Sequence, residues 1–148
     1  MKKLLVSFAA AMVLLTSCST VKTVSDNGNQ LRFTEAHNYF HIGKTTVPIM
    51  KKITSRTVLE KEFGEAATMG KDGEPTKIDF RRKFAIAFIL PETNRKTDLS
   101  PLSLTVKGKN RLILKYKLKQ GEELPFSTQP FFLIVVDRKY VDLSLIHI

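Results

Sequence analysis

The sequence Phe84-Ala85-Ile86-Ala87-Phe88-Ile89-Leu90 is a continuous apolar run that Pro91 ends. An unbroken run of this length is typical of a central strand that is buried on both faces. A second run, Phe131-Phe132-Leu133-Ile134-Val135-Val136, follows Pro130 and is closed by Asp137. It predicts the final strand of the fold.

A β-hairpin is predicted between these two runs. From Leu102 to Val106, apolar residues alternate with serine and threonine, as in a half-buried strand. A turn at residues 107–110 follows, and residues 111–119 form the returning strand. The apolar face of that strand holds Leu112, Leu114, Tyr116 and Leu118, and its other face holds Arg111, Lys115, Lys117 and Lys119. The polar stretches 92–100 and 121–129 are predicted as connections.

The region before the buried run holds one helix signal. Residues 31–50 mix aromatics with glycine and proline, which favours short strands joined by loops. Ser55 can accept hydrogen bonds at a helix N-terminus, and Gly64 can form a left-handed C-cap. The apolar face of this short helix comprises Val58, Leu59 and Phe63. Residues 66–76 predict a surface loop. The predicted fold class is mainly β (α+β), an antiparallel sheet or β-sandwich with one short helix.

The N-terminus carries a secretory signal that ends in a lipobox. Met1-Lys2-Lys3 precedes an apolar run from Leu4 to Leu15, and that run is far shorter than the roughly 20 residues of a permanent membrane-spanning helix. Ser17 stands directly before Cys18, the only cysteine. We therefore predict that residues 1–17 are removed and that the Cys18 sulfur is acylated. The alternative is an incidental thiol, but it gives no reason for a cysteine at the cleavage point.

Lipidation at Cys18 predicts where the protein resides. Several acyl chains hold a protein stably on a membrane, whereas a single chain exchanges. We expect an envelope location, and Ser19, which is not an acidic retention signal, favours the outer membrane. Residues 18–30 are polar and predict a flexible tether, which reaches about 20 Å for about 12 residues. Residues 31–142 are predicted to form a single β-rich domain.

The last six residues are a candidate sequencing artefact. Leu143-Ser144-Leu145-Ile146-His147-Ile148 is what the DNA CTG TCT CTT ATA CAC ATC encodes. That DNA resembles the mosaic end of a transposon used to prepare sequencing libraries. We hypothesise that the natural sequence departs at or just before Leu143. The alternative is a genuine apolar C-terminal strand, and amplifying the gene from source DNA decides between the two.

The chain is basic, and part of its charge lies in one stripe. It has 24 Lys and Arg against 14 Asp and Glu, a formal net charge of +10. The candidate polyanion-binding residues are Lys107, Lys109, Arg111, Lys115, Lys117 and Lys119. Such a face suits an anionic glycan or a lipid phosphate. The alternative is a solvated face whose lysines discourage edge-to-edge aggregation. Because no aromatic is interleaved on the basic face and the protein is exported, nucleic acid is not an expected partner.

Catalytic and metal chemistry finds little support in the sequence. His37 and His41, with Glu35 nearby, would share a face on a helix and could then hold a metal ion. The segment lacks helix signals, so we favour two loop or edge histidines. Asp79 is interpreted as a turn residue before a strand. We assign no catalytic residue, metal ligand, cofactor or disulfide, and we predict that the protein is not an enzyme.

Several short motifs occur along the chain in a recognisable order. Glu62-Phe63-Gly64 ends the helix, Lys77-Ile78-Asp79-Phe80 leads into the buried strand, and Gln129-Pro130 follows the hairpin and opens the final run. In this order they resemble the C-terminal domain of PrcB-type lipoproteins over roughly residues 53–140. The resemblance implies a small mainly-β module that supports a surface protease complex or is similar to a protease inhibitor. The chain has Glu92-Thr93-Asn94-Arg95-Lys96-Thr97 where that family has a glycine-rich turn.

Three functions follow as hypotheses. The leading one is a non-enzymatic envelope lipoprotein whose domain binds another exported protein, such as a protease or protease complex, as the resemblance implies. The second is a binder of anionic glycan or lipid phosphate through the basic stripe. The third is a small hydrolase, for which no site can be drawn. Loops 66–76 and 92–100 are the first candidates for partner contacts, since binding residues tend to lie on loops; the alternative is that they only connect.

Overall fold

The computed structural model of the chain describes residues 29–148. The predicted signal peptide, Cys18 and the predicted tether up to residue 28 lie outside this range. The described part is mainly β with one α-helix, which confirms the predicted fold class. Its elements are β1 (Gln30–Leu31), β2 (Thr34–Ala36), β3 (Tyr39–His41), β4 (Ile49–Ile53), α1 (Arg56–Glu62), β5 (Phe63–Glu65), β6 (Lys83–Ile89), β7 (Thr93–Lys107), β8 (Arg111–Thr128), β9 (Phe131–Asp137) and β10 (Ser144–His147). Within residues 29–148, none of the helices has the length and apolarity needed to cross a membrane.

Three sheets organise the described residues. The central sheet has the order β2-β9-β6-β4, with every neighbouring pair antiparallel. The hairpin sheet has the order β1-β7-β8-β10, in which β10 runs parallel to β8. A small sheet pairs β3 with β5. The two apolar runs are the two middle strands of the central sheet, paired from Lys83 opposite Asp137 to Ile89 opposite Phe131.

The central sheet is buried on both of its faces. One face packs with α1 and the small sheet around Ala36, Tyr39, Ile53, Leu59, Phe63, Ile78, Ala85, Ala87, Ile89 and Leu133. The other face packs against the hairpin sheet around Phe84, Ile86, Phe88, Leu90, Leu104, Leu112, Leu114, Phe132, Ile134 and Val136. Successive residues of β6 therefore enter different cores. This confirms the prediction of a strand buried on both faces, and it explains why the run has no polar residue.

The helix begins as predicted and ends differently. The Ser55 hydroxyl accepts a hydrogen bond from the Val58 amide at 3.2 Å, which satisfies one free donor of the first turn. Leu59 is the only buried residue within the helix, and Val58 is 36 % exposed. Phe63 is buried, but it lies in β5 and not on the helix.

The prediction of Gly64 as a left-handed C-cap is wrong. The helix ends at Glu62, its cap residue Phe63 is extended, and Gly64 is a strand residue without a positive φ. Gly64 pairs with Phe40 across the small sheet. A Cβ at this position would stand 2.2 Å from Cζ of the Phe40 ring, so glycine provides the space that the ring occupies.

The segment between β5 and β6 is a loop, as predicted for residues 66–76. The Asn38 amide nitrogen donates to the carbonyls of Asp72 at 2.8 Å and Glu74 at 2.9 Å, and so holds the loop against the body. Asp79 forms the turn that precedes β6. Its carboxylate accepts from the Arg81 amide and its carbonyl from the Lys83 amide, which confirms the turn interpretation.

The hairpin turn is confirmed, but the hairpin is much longer than predicted. Residues 92–100 and 121–129 were expected to be connections. Instead, β7 begins at Thr93 and β8 continues to Thr128. Residues 97–100 pair with residues 117–120, while Thr93 and Arg95 pair with Thr128 and Glu123. The polar stretches 93–100 and 121–128 show no alternating pattern in the sequence because none of their residues is buried.

A bulge in β7 changes the predicted inward face. The register shifts between Pro101 and Ser103, which lie opposite Tyr116 and Lys115. Proline cannot donate to the ladder, and strands accommodate it at such irregularities. Pro101 is buried and Leu102 is 46 % exposed. The expected inward position of Leu102 is therefore wrong, whereas Leu104 is fully buried as predicted.

Both ends of the described chain add strands to the hairpin sheet. Gln30 pairs with Thr105, so strand structure begins one residue before the predicted domain start. Residues 144–147 pair with Arg111 to Leu114, and Leu145 packs against the hairpin-side core. The Lys52 ammonium donates to the carbonyl of Val141 at 2.7 Å and also to that of Leu143. Four of the six terminal residues, Ser144–His147, thus form a strand in this structure, and the proposed foreign origin of the segment stays a hypothesis.

Candidate binding surfaces

All six candidate polyanion-binding residues are exposed on the long hairpin. We call the set the basic face; it comprises Lys107, Lys109, Arg111, Lys115, Lys117 and Lys119. Lys109 lies in the turn, and Lys107 stands directly opposite Arg111. The other three, Lys115, Lys117 and Lys119, alternate along β8 with Tyr116 and Leu118. The structure therefore brings the predicted residues together along one hairpin.

The basic face is only partly neutralised. The Lys117 ammonium lies 3.5 Å from the Asp98 carboxylate, and both side chains are more than half exposed, so this pair contributes little stability. Among residues 29–148, no ion pair within 4.0 Å involves the other five cations. Lys107 and Arg111 are like charges directly opposite each other, an arrangement that disfavours pairing. The cations at the hairpin turn, Lys107, Lys109 and Arg111, therefore have no ion-pair partner within 4.0 Å among the described residues.

The second candidate surface is the part of the hairpin that continues past the core. We call residues 93–100 and 117–128 the hairpin arm. Leu118 is 44 % exposed and Phe126 is 58 % exposed. The arm is irregular, with register shifts on both sides of Arg95. The Arg95 guanidinium donates to the Gly121 carbonyl at 3.0 Å and lies 3.9 Å from the Glu123 carboxylate. The predicted binding loop 92–100 is thus a strand of this arm.

The third feature is a polar cluster that the sequence did not predict. The His41 ring shows only 6 % of its side-chain surface, and its Nδ1 lies 2.9 Å from Oε1 of Gln129. Its Nε2 lies 3.8 Å from Oε2 of Glu62, which also accepts from Lys51 at 2.8 Å. The hydrogen bond from Lys51 lowers the pKa of Glu62 below its usual value, against an opposing effect of burial. The cluster therefore joins β3, β4, α1 and the segment that follows the hairpin arm.

The two histidines that a helix would bring onto one face lie in different surroundings. Within residues 29–148 no group of three or more His, Cys, Asp or Glu could hold a metal ion. His37 is exposed, and its backbone amide donates to the Thr76 hydroxyl. His41 packs edge-on against the Phe63 ring. His37 lies between strands and His41 lies on an edge strand, which fits the preferred alternative of loop or edge histidines. The sequence did not show that the His41 side chain is buried.

No local signal could have revealed the polar cluster. Its members come from four separate segments, and only the tertiary fold brings them together.

The loop at 66–76 also depends on contacts with distant residues. The Tyr39 hydroxyl donates to the Thr76 carbonyl at 2.7 Å, and burial of the ring, with a smaller effect of Glu65, raises the pKa of Tyr39. These contacts hold residues 72–76 of the loop against the body, and its role in partner binding stays a prediction.

Known proteins give no further guide to these surfaces. No protein family, curated protein or solved structure matches this chain. The function must therefore be inferred from the residues of this chain.

Proposed function

We propose that this protein is a non-enzymatic, lipid-anchored envelope protein whose β-rich domain binds another exported protein. The lipobox at Ser17-Cys18 supports the anchoring. The hairpin arm supports the binding, and it is the observation that carries the proposal. A partner such as a protease or protease complex is what the resemblance to PrcB-type domains implies.

The hairpin arm is longer than a connection requires. Strands in globular proteins commonly have about 5 to 6 residues, whereas β7 has 15 and β8 has 18. The arm adds ordered backbone without adding a buried side chain, and ordering backbone is costly. It also holds Leu118 and Phe126 in water. A surface that is strand-paired, irregular and partly apolar is well suited to a protein partner.

A site-specific crosslink tests the proposal. A photoreactive residue in place of Phe126 in the lipidated full-length protein should yield a stoichiometric adduct with one exported protein. The matched control carries the same group in place of Met69, which is fully exposed in the 66–76 loop and distant in sequence from the arm. Absence of any adduct at position 126, or the same adducts at both positions, would contradict the proposal.

The anchoring has its own test. Mass spectrometry of the protein from its host should find Cys18 as an acylated N-terminus, and Cys18→Ala should release the protein from the membrane fraction. A wild-type chain that keeps its initiator methionine and an unmodified Cys18 would contradict the anchoring.

A second function rests on the basic face. Five of its six cations have no ion-pair partner in the described part of the chain, so an anionic glycan or lipid phosphate could neutralise them. Replacing Lys115, Lys117 and Lys119 by Glu should abolish binding to vesicles that contain lipopolysaccharide, and added salt should weaken the wild-type interaction. Unchanged binding of the variant would exclude this face.

A further inference from the structure

The chain enters the hairpin sheet from the end that carries the turn. The Asn29 carbonyl accepts a hydrogen bond from the Val106 amide at 2.8 Å, and Gln30 pairs with Thr105. Strand β7 leads into the turn, and β1 is antiparallel to β7, so β1 runs away from the turn. The direction of β1 therefore places Asn29 at the turn end of the hairpin.

The predicted lipid anchor is covalently tied to this end. Asn29 lies 11 positions after Cys18. Because an extended chain spans at most about 3.6 Å per residue, Asn29 stays within about 40 Å of the anchor. Ser127, at the far end of the hairpin arm, lies 16 positions after Arg111, the first residue of β8. At a rise of about 3.3 Å per residue, the far end is on the order of 50 Å from the turn.

The turn is a cluster of exposed cations. Lys107, Lys109 and Arg111 are exposed, and among residues 29–148 no ion pair within 4.0 Å involves them. The segment that leads into β10, which begins opposite Arg111, contributes one exposed acid, Asp142. Three cations against one acid leave the turn with a net positive charge.

The far end of the hairpin arm has no such excess. Residues 93–96 and 121–128 hold two cations, Arg95 and Lys96, and two acids, Glu122 and Glu123. Arg95 also lies 3.9 Å from the Glu123 carboxylate. An anionic membrane attracts basic groups beside it, and the attraction falls off within a Debye length, about 8 Å at physiological ionic strength. The two ends of the hairpin therefore differ in their attraction to such a surface.

We propose that the hairpin turn docks on the membrane that holds the lipid anchor, with Lys107, Lys109 and Arg111 against anionic lipid phosphates. The far end of the hairpin arm then points away from that membrane. This inference deepens the proposed function, on whose lipid anchoring it rests. It states which surface the domain turns to its own membrane, and it presents the exposed Phe126 to an exported partner.

The competing orientation lays the hairpin flat, with Lys115, Lys117 and Lys119 on the lipid. Lys117 already lies 3.5 Å from the Asp98 carboxylate. A flat hairpin also brings the far end, whose formal charge is zero, down to the surface. The flat orientation thus gains less from an anionic membrane than docking by the turn, to which the anchor is tied.

Quenching by a lipid with a nitroxide on its headgroup measures which end of the hairpin meets the membrane. The lipidated protein has no cysteine besides Cys18, so one fluorophore can be placed by Asn110→Cys at the turn or by Ser127→Cys at the far end. Both positions are exposed. On vesicles of phosphatidylcholine and phosphatidylglycerol, we expect roughly fivefold stronger quenching at position 110, because attraction holds the turn within a Debye length of the headgroups. Equal quenching, or stronger quenching at position 127, would overturn the proposal.

Two variants with the same change of charge identify the responsible cations. The turn variant combines Lys107→Gln, Lys109→Gln and Arg111→Gln. The β8 variant combines Lys115→Gln, Lys117→Gln and Lys119→Gln. The turn variant also removes the like charges that stand opposite each other beside the turn, so it should not weaken the hairpin. We expect the difference in quenching to fall to about twofold or less in the turn variant and to persist in the β8 variant. The reverse result would overturn the proposal.

Flotation of the same vesicles separates the orientation from the anchoring. In about 1 M salt, where the Debye length is about 3 Å, the difference in quenching should fall while the acyl chains keep the protein on the vesicles. Protein that floats without any difference in quenching would overturn the orientation and leave the anchoring intact. Wild-type protein that does not float would overturn the anchoring, and this inference with it.

Discussion

The two halves of the long hairpin consist of the same two strands and differ in what lies against them. Near the turn, Leu104, Leu112 and Leu114 are fully buried against the central sheet. In the hairpin arm no residue is buried, although the backbone pairing continues to Thr93 and Thr128. Because burial of apolar surface is the main favourable contribution to folding, the covered half should stabilise the domain, and the arm should be free to change.

Leu114→Ala should give the largest effect. The side chain is fully buried, so its truncation leaves a cavity between the two sheets. We expect the free energy of unfolding to fall by about 2 to 5 kcal/mol, measured by urea denaturation. A loss below about 1 kcal/mol would show that the covered half is not part of the stabilising core.

Acid should lower the free energy of unfolding by a smaller amount than Leu114→Ala does, because it weakens the polar cluster next to the end of the hairpin arm. Gln129 follows the arm and contacts His41, which contacts Glu62. The pKa of Glu62 is lower in the folded protein than its usual value of 4.5 because Lys51 donates to it. The Glu62 carboxylate therefore stabilises the fold above pH 4.5. This stabilisation is lost as the pH falls through the lowered pKa of Glu62 in the folded protein.

Glu62→Gln isolates this contribution. At neutral pH we expect the variant to lose about 1 kcal/mol of stability relative to the wild type. The difference should shrink as the pH falls below the usual carboxyl pKa of 4.5, because the wild-type carboxylate becomes protonated. Parallel stability curves for the two proteins over that range would show that the Glu62 carboxylate does not stabilise the fold.

Leu118→Ala should give the smallest effect. Leu118 lies on the same face of the same strand as Leu114, but 44 % of it is exposed. We expect a change in unfolding free energy within about 0.5 kcal/mol, measured in the same urea series. Together with Leu114→Ala it forms a matched pair within β8. Similar losses of unfolding free energy in the two variants would show that the covered half and the arm contribute equally to stability.

The sequence predicted the covered half and residues 117–119 of the arm, but not the rest of the arm, for one physical reason. Alternation is visible only where one face is buried, as at Leu112, Leu114 and Tyr116. In the arm, polar stretches pair with each other, and pairing without burial leaves no periodicity. The prediction for Leu102 failed for a related reason, since the bulge after Pro101 shifts the alternation by one residue.

Two further features that the sequence did not predict correctly, the role of Gly64 and the polar cluster, depend on tertiary contacts. Gly64 follows a helix, where glycine commonly forms a cap, but its role is to leave space for the Phe40 ring. The polar cluster of Lys51, His41, Glu62 and Gln129 spans most of the domain in sequence. Neither arrangement has a spacing rule that a single sequence could reveal.

The contact made by Lys52 has a consequence for how the chain tolerates change near its end. Its ammonium group holds two main-chain oxygens, those of Val141 and Leu143, and no side chain of either residue. Every amino acid has the same main-chain oxygen, so these two hydrogen bonds do not depend on which residues stand at positions 141 and 143. Substitutions of Val141 or Leu143 would therefore change their packing against the hairpin-side core but not the two oxygens that Lys52 binds.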